Sequence, residues 1–112
     1  MDKTPPPIAL TAARAMPWKP GRSAEVFTDG DLEVRFTAGP TRGPQTPHQR
    51  DELYIVASGK ARYRVEDRVT DVGPGDLLFA AAHAPHGFEE LSEDFAIWII
   101  FYGPMKQASP SI

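Results

Sequence analysis

The sequence predicts an all-β fold, a sandwich or barrel of short strands, and three observations carry that expectation. Twelve prolines and nine glycines punctuate the chain, so no apolar pattern of 3.6-residue period runs beyond about two turns. Short runs rich in β-branched and aromatic residues recur between turn residues. Within several of those runs apolar and polar residues alternate, which is the period of a strand with one wet face.

Taken in order, residues 1–22 read as an extended N-terminal arm, with five of the prolines in the first twenty positions. Ile8, Leu10, Met16 and Trp18 give that arm apolar side chains with which to dock. Residues 23–104 form the folded domain, and residues 105–112 are expected to be a loose tail. The clearest strand is Asp31–Thr37, where Leu32, Val34 and Phe36 share one face and Asp31, Glu33, Arg35 and Thr37 the other. Leu53–Val56 forms the next, and Ser58-Gly59-Lys60 turns the chain into Ala61–Val65, whose Arg62 and Arg64 face water. Asp67-Arg68 leads into Val69–Val72, and Pro74-Gly75-Asp76 opens the apolar run Leu77–Ala81. The run Phe95–Tyr102 differs: Phe95, Ile97, Ile99 and Phe101 on one face are matched by Ala96, Trp98, Ile100 and Tyr102 on the other. Both of its faces call for burial, the second either under the arm through Trp18 or, the favoured expectation, against a second copy in a homodimer.

Composition narrows the function. At 112 residues the chain accommodates one domain and one pocket. A net charge of −3 with dispersed Lys and Arg predicts no nucleic-acid partner. The absence of cysteine excludes disulfides, thiolate metal sites and a cysteine nucleophile, leaving imidazole and carboxylate as metal ligands. No segment reads as a signal peptide or approaches the roughly 20 apolar residues of a membrane span, so a cytoplasmic protein without membrane contact is expected. A Gly-x-Ser-x-Gly elbow is absent. Gly73-Pro74-Gly75 has neither the following helix nor the Lys-Ser or Lys-Thr of a phosphate loop.

The chemistry must lie with the three histidines and nearby carboxylates. His48 and Glu52 share a strand parity, yet four residues of straight strand would separate them by about 13 Å. They converge on one ion only if the backbone bends across Gln49, Arg50 and Asp51. Spacing alone does not make this a metal site.

The segment Pro47–Gly59 nevertheless resembles the first motif of the cupin family, in which His-x-His, three or four residues, Glu, six residues and Gly follow in order. His48, Glu52 and Gly59 fall at those spacings. Pro74–His86 resembles the second motif: Gly75 begins it, Ala81 replaces a proline, His83 a glycine, His86 is its histidine, and Glu90 takes the place of its terminal asparagine. The resemblance spans roughly residues 31 to 102 and implies a cupin-type double-stranded β-helix, the jelly-roll β-barrel of small single-domain cupins. It also implies metal ligation by His48, Glu52 and His86. Thr46 stands where the family has its first histidine and is a poor ligand, so three ligands remain. The implied cofactor is a divalent ion, Fe, Mn, Ni or Zn, or an empty site. His83 and Asp51 are weaker ligand candidates. Arg50 has the parity to reach the pocket mouth and pair with an anionic substrate.

Phe36, Tyr54, Tyr63, Phe79, Phe88 and Trp98 are expected to point inward as an aromatic lining. Phe36, Phe79, Phe88 and Trp98, with Arg50, are the candidate substrate contacts. Tyr54 and Tyr63 are candidates for orienting a substrate or relaying a proton. Two functions follow: a metal-dependent enzyme such as a dioxygenase or isomerase acting on a small organic molecule, or a non-catalytic module that binds or senses a small molecule.

Overall fold

The structure is a computed structural model that describes residues 4–17, 23–39, 44–45 and 48–107. The strands are β1 (Ala24–Asp29), β2 (Leu32–Ala38), β3 (Pro44–Gln45), β4 (Asp51–Ser58), β5 (Ala61–Val65), β6 (Arg68–Val72), β7 (Leu77–Ala80), β8 (His86–Glu89) and β9 (Ala96–Tyr102). They form two antiparallel sheets, ordered β1-β2-β9-β4-β7 and β3-β8-β5-β6. The sheets pack face to face as a jelly roll that is not closed into a continuous barrel. The all-β cupin-type expectation therefore holds at the level of architecture.

The turn residues act as their chemistry predicts. Gly59 joins β4 to β5 at φ +76, and a Cβ there would sit 2.6 Å from the Phe95 backbone. Only glycine meets both demands. The hairpin from β5 to β6 turns one residue earlier than the sequence reading placed it, with Glu66 at φ 55. Between the sheets lies the main core, built from Tyr54, Val56, Tyr63, Val72, Leu78, Phe88, Phe95, Ile97 and Ile99 among others.

The arm is not wholly extended. Leu10–Arg14 forms one short helix, α1, which an Ala-rich Leu-Thr-Ala-Ala-Arg stretch favours once packed. Its Ala13 is 1% exposed and joins Phe36 and Ala96 in a second cluster, with Leu10, Val26, Trp98 and Ala57 against it. Trp18, the residue expected to cover this face, lies outside the described residues.

Strand register shows which way each face points. Across β2, β9 and β4, Arg35 pairs with Ile99 and Ile99 with Tyr54, while Glu33 pairs with Phe101 and Phe101 with Glu52. Paired residues point to the same side of a sheet. Glu33, Arg35 and Thr37 therefore share the concave face that meets the second sheet, whereas Val34 and Phe36 lie on the convex face. The alternation in β2 was legible, but its polar side is the inner one.

The same register corrects three of the expected inward residues. Phe36 and Trp98 are on the convex face, edge to face at 5.1 Å beneath the α1 cluster. Phe79 pairs with Leu53 on that convex face and is 48% exposed. None of the three lines the space between the sheets. Tyr54, Tyr63 and Phe88 do face inward. Alternation reports that two faces differ, and a strand whose convex side is covered by another segment hides which is the core.

Candidate metal centre

His48, Glu52 and His86 meet at one end of the sandwich. Glu52 is the second residue of β4 and points into the interior at 1% exposure. His86 opens β8 on the opposite sheet and is 4% exposed. His48 lies ahead of β4, and the chain bends at Gln49 and Arg50 before the strand begins. That bend provides the convergence a straight strand would forbid: His48 Nε2 lies 3.7 Å from Glu52 Oε1, and His86 Nε2 lies 3.0 Å from the same oxygen. One ligand atom from each of the three residues lies within 4.8 Å of the others.

Backbone contacts pin the bend. His83 N–H donates to the His48 carbonyl at 2.7 Å, and Lys106 N–H donates to the Gln49 carbonyl at 2.6 Å. Asp51 accepts from the Ala82 amide at 2.9 Å and pairs with Lys106 Nζ at 2.6 Å. His83 also contacts the Lys106 carbonyl through its ring. His83 and Asp51, both weighed as ligands, instead hold the segment that carries His48, and Lys106 holds the start of the expected loose tail against β4.

A buried phenol neighbours the carboxylate, and one imidazole is oriented from behind. The Tyr54 phenol, on a residue with 0% exposure, lies close to the Glu52 charge. Burial and the adjacent Glu52 charge push the Tyr54 phenol far above its ordinary pKa, so it stays a donor. His86 Nδ1 donates to the Ala84 carbonyl at 2.9 Å, because a carbonyl can only accept. In the neutral ring this leaves the lone pair on Nε2, facing Glu52.

Nε2 of His86 and Oε1 of Glu52 are buried, 3.0 Å apart, and among the described residues neither has an aligned hydrogen-bond partner. Two acceptors facing each other in a dry site repel unless a cation lies between them. A proton is one answer. Burial pushes the His86 pKa down, but the Glu52 contact and the Ala84 bond outweigh it, so the net shift is upward. A divalent ion is another, and the spacing is compatible with one. Ligand atoms each about 2.1 Å from a shared ion would lie about 3.0–3.4 Å apart. The donor set of two imidazoles and a carboxylate also suits such an ion. His48, more exposed, has its pKa lowered chiefly by burial, then by the His86 and Arg50 charges against the pull of Glu52. This favours the neutral form that ligates.

The phenol of Tyr63 donates to the Phe79 carbonyl at 3.2 Å, and burial pushes its pKa up to about 12. Phe88 packs against Tyr54 at 5.0 Å and Tyr63 at 5.2 Å between ring centroids, as core beneath the site. Thr46 lies outside the described residues.

Sequence reasoning missed three neighbours. Phe101 contacts the His48 ring at 5.0 Å and the Arg50 guanidinium at 4.9 Å. Glu33 binds Arg50 at 2.6 Å and Arg35 at 2.8 Å. Nothing local in the sequence marks Glu33 and Arg35, because their strand's polar face reads as solvated.

Comparison with known proteins places this geometry in context. The Cupin domain family model matches residues 32–102. The chain is 36% identical over 64 residues to the uncharacterized protein SCO3923 of Streptomyces coelicolor, covering 57% of this chain. It spans 61% of that relative's length. A cupin 2 conserved barrel domain protein from Rhodopseudomonas palustris superposes with a TM-score of 0.64 at 21% identity, over 82% of this chain and 72% of that one. A structure described as DMSP lyases RdDddP and RnDddQII superposes with a TM-score of 0.57 at 28% identity, over 68% of this chain and 44% of the other.

Proposed function

The chain belongs to the Cupin domain family, and from that premise we propose that it is a metal-dependent protein acting on a small organic molecule, with His48, Glu52 and His86 as ligands of one divalent ion. The observation that carries the reading is the pair of buried, facing acceptors, His86 Nε2 and Glu52 Oε1. Fe(II), Mn(II), Ni(II) and Zn(II) all accept this donor set. Such an ion, when bound, polarises an oxygen ligand and lowers its proton affinity.

The chain's own residues prepare the site for that role. The Ala84 carbonyl fixes the His86 tautomer, and the buried Tyr54 phenol keeps its proton beside Glu52. The His48 side chain, 36% exposed against 2% for Glu52, makes its edge the approach for a ligand from solvent. Three protein ligands leave positions for water or substrate. The similarity to a lyase structure at 28% identity supports an enzyme.

A second reading, a non-catalytic binding module, is favoured by one observation. Both nearby phenols hold their protons tightly: burial and the Glu52 charge push the Tyr54 phenol far up, and Tyr63, which donates to the Phe79 carbonyl, is pushed up to about 12. Catalysis then requires a proton carrier from the substrate, solvent or elsewhere in the chain.

The convex face adds a proposal of its own, a homodimer. Helix α1 covers the part around Phe36, Ala96 and Trp98. The neighbouring rungs Leu53 with Phe79 and Ile55 with Leu77 stay open, with Leu77 65% and Phe79 48% exposed. A self-complementary apolar strip on an edge strand suits an isologous contact with a second copy.

The metal reading is tested by thermal unfolding of metal-stripped protein with and without Mn(II), Ni(II) or Zn(II). Ligand at about 100 times its dissociation constant stabilises a fold by about 2.7 kcal/mol. The reading expects stabilisation of that order in the wild type and none in His86→Ala. No stabilisation of the wild type by any of the ions contradicts it.

A further inference from the structure

We propose that Arg35 and Arg50 form an anion-recognising wall beside the metal centre, and that the small molecule received there carries a carboxylate which takes the place of Glu33 on Arg50. The inference rests on the metal reading for its location and goes beyond it in naming the ligand's chemical class.

Three observations converge. First, two guanidiniums share one carboxylate: Glu33 Oε1 with Arg50 at 2.6 Å and Glu33 Oε2 with Arg35 at 2.8 Å. The three side chains together carry one net positive charge at only 23–25% exposure, with the exposed Glu25 opposite Arg35 on the neighbouring strand. Second, the cluster faces the site. Glu33 and Arg35 occupy the concave face of β2, and Glu33 stands in the same rung as Phe101 and Glu52. Third, Phe101 bridges the two centres. Its ring touches His48 at 5.0 Å between centroids and carries the Arg50 guanidinium at 4.9 Å.

The two arginines are not equivalent. Arg35 is also held by Ser23, through Nε to the hydroxyl at 2.6 Å and through Nη2 to the carbonyl at 2.8 Å. It is a fixed post that retains Glu33. Arg50 grows from the bend next to His48, and its planar fork suits a carboxylate in two parallel hydrogen bonds. Glu33 occupies that fork as an internal surrogate, so an incoming carboxylate exchanges one anion for another while Glu33 keeps its partner Arg35. The exchange avoids stripping a bare guanidinium of its counter-charge.

The test uses Co(II)-loaded protein titrated with glycolate, and with glycolamide as the neutral counterpart, followed by the visible spectrum of Co(II). The proposal expects glycolate to bind at least about tenfold more tightly than glycolamide, and Arg50→Gln to remove that preference with Co(II) uptake unchanged. It expects Glu33→Gln, which frees Arg50 of its competitor, to tighten glycolate binding severalfold. Equal affinity for the two probes, or glycolate affinity unmoved in both variants, overturns it. If the wild type takes up no Co(II), the metal reading fails separately. The carboxylate is then titrated into metal-free protein and read on the Arg50 Nε–H resonance, where a shift with glycolate but not glycolamide supports the wall and no shift overturns it. Should Arg50→Gln not fold, the direction of the Glu33→Gln effect decides.

Discussion

Removing a single oxygen from Tyr54 probes how far the metal centre depends on support from behind. In Tyr54→Phe the ring keeps its packing, 5.0 Å from Phe88 and 6.0 Å from Tyr63 and His86 between centroids. Only the hydroxyl, which lies close to the Glu52 charge, is lost. Because Glu52 is 1% exposed, water does not readily replace that donor. Loss of a polar partner behind a metal ligand typically weakens affinity by 10–100-fold, or about 1.4–2.7 kcal/mol. Stability without metal should fall by about 1–3 kcal/mol as the polar interactions of the buried hydroxyl are lost. The assay is competition for Zn(II) against a chromophoric chelator, alongside urea unfolding of the metal-free protein. Affinity within twofold of wild type in a folded Tyr54→Phe would refute the claim that this neighbouring phenol supports the ligand.

The remaining expectations follow from particular contacts. Gly59→Ala should cost about 3 kcal/mol or more in urea unfolding, since a Cβ there meets the Phe95 backbone at 2.6 Å, whereas Gly75→Ala, at φ +88 with nothing within 4 Å, should cost about 1 kcal/mol; equal losses would contradict the close approach. Tyr63 should ionise near pH 12 when followed by ultraviolet absorbance. Its folded pKa lies above the unfolded value of about 10, so its stabilising contribution is complete below pH 10 and fades as pH rises toward 12. A phenol titrating near pH 10 in folded protein would refute its burial. For the proposed dimer, Leu77→Lys with Phe79→Lys should give a folded monomer by analytical ultracentrifugation, and a wild type already monomeric at high concentration removes the proposal.

Much of the architecture was legible in the sequence because the strands obey local rules. Alternation marked β2 and β5, Gly59 marked the turn between β4 and β5, and the two-sided apolar run marked β9, which the structure puts in the middle of its sheet. The ligand set came from the resemblance, since spacing alone left His48 and Glu52 too far apart until the bend at Gln49 and Arg50 was seen. The direction of each face was not legible. Phe36, Phe79 and Trp98 looked like lining because apolar side chains were assumed to point inward, yet α1 covers the first and third and Phe79 stays exposed. By the same error Glu33 and Arg35 looked solvated, and the charged wall beside the metal centre went unnoticed. Helix α1 was missed because five residues between prolines carry too little helical signal without the sheet on which they pack.

The central claim is that His48, Glu52 and His86 hold one divalent ion. Elemental analysis of protein purified without an affinity tag, beside His48→Ala and His86→Ala prepared identically, tests it most directly. The account predicts about one equivalent of a divalent metal per chain in the wild type and its loss in both folded variants. A wild type that holds no metal after dialysis against divalent ions, or a His86→Ala variant that retains full occupancy, would contradict it.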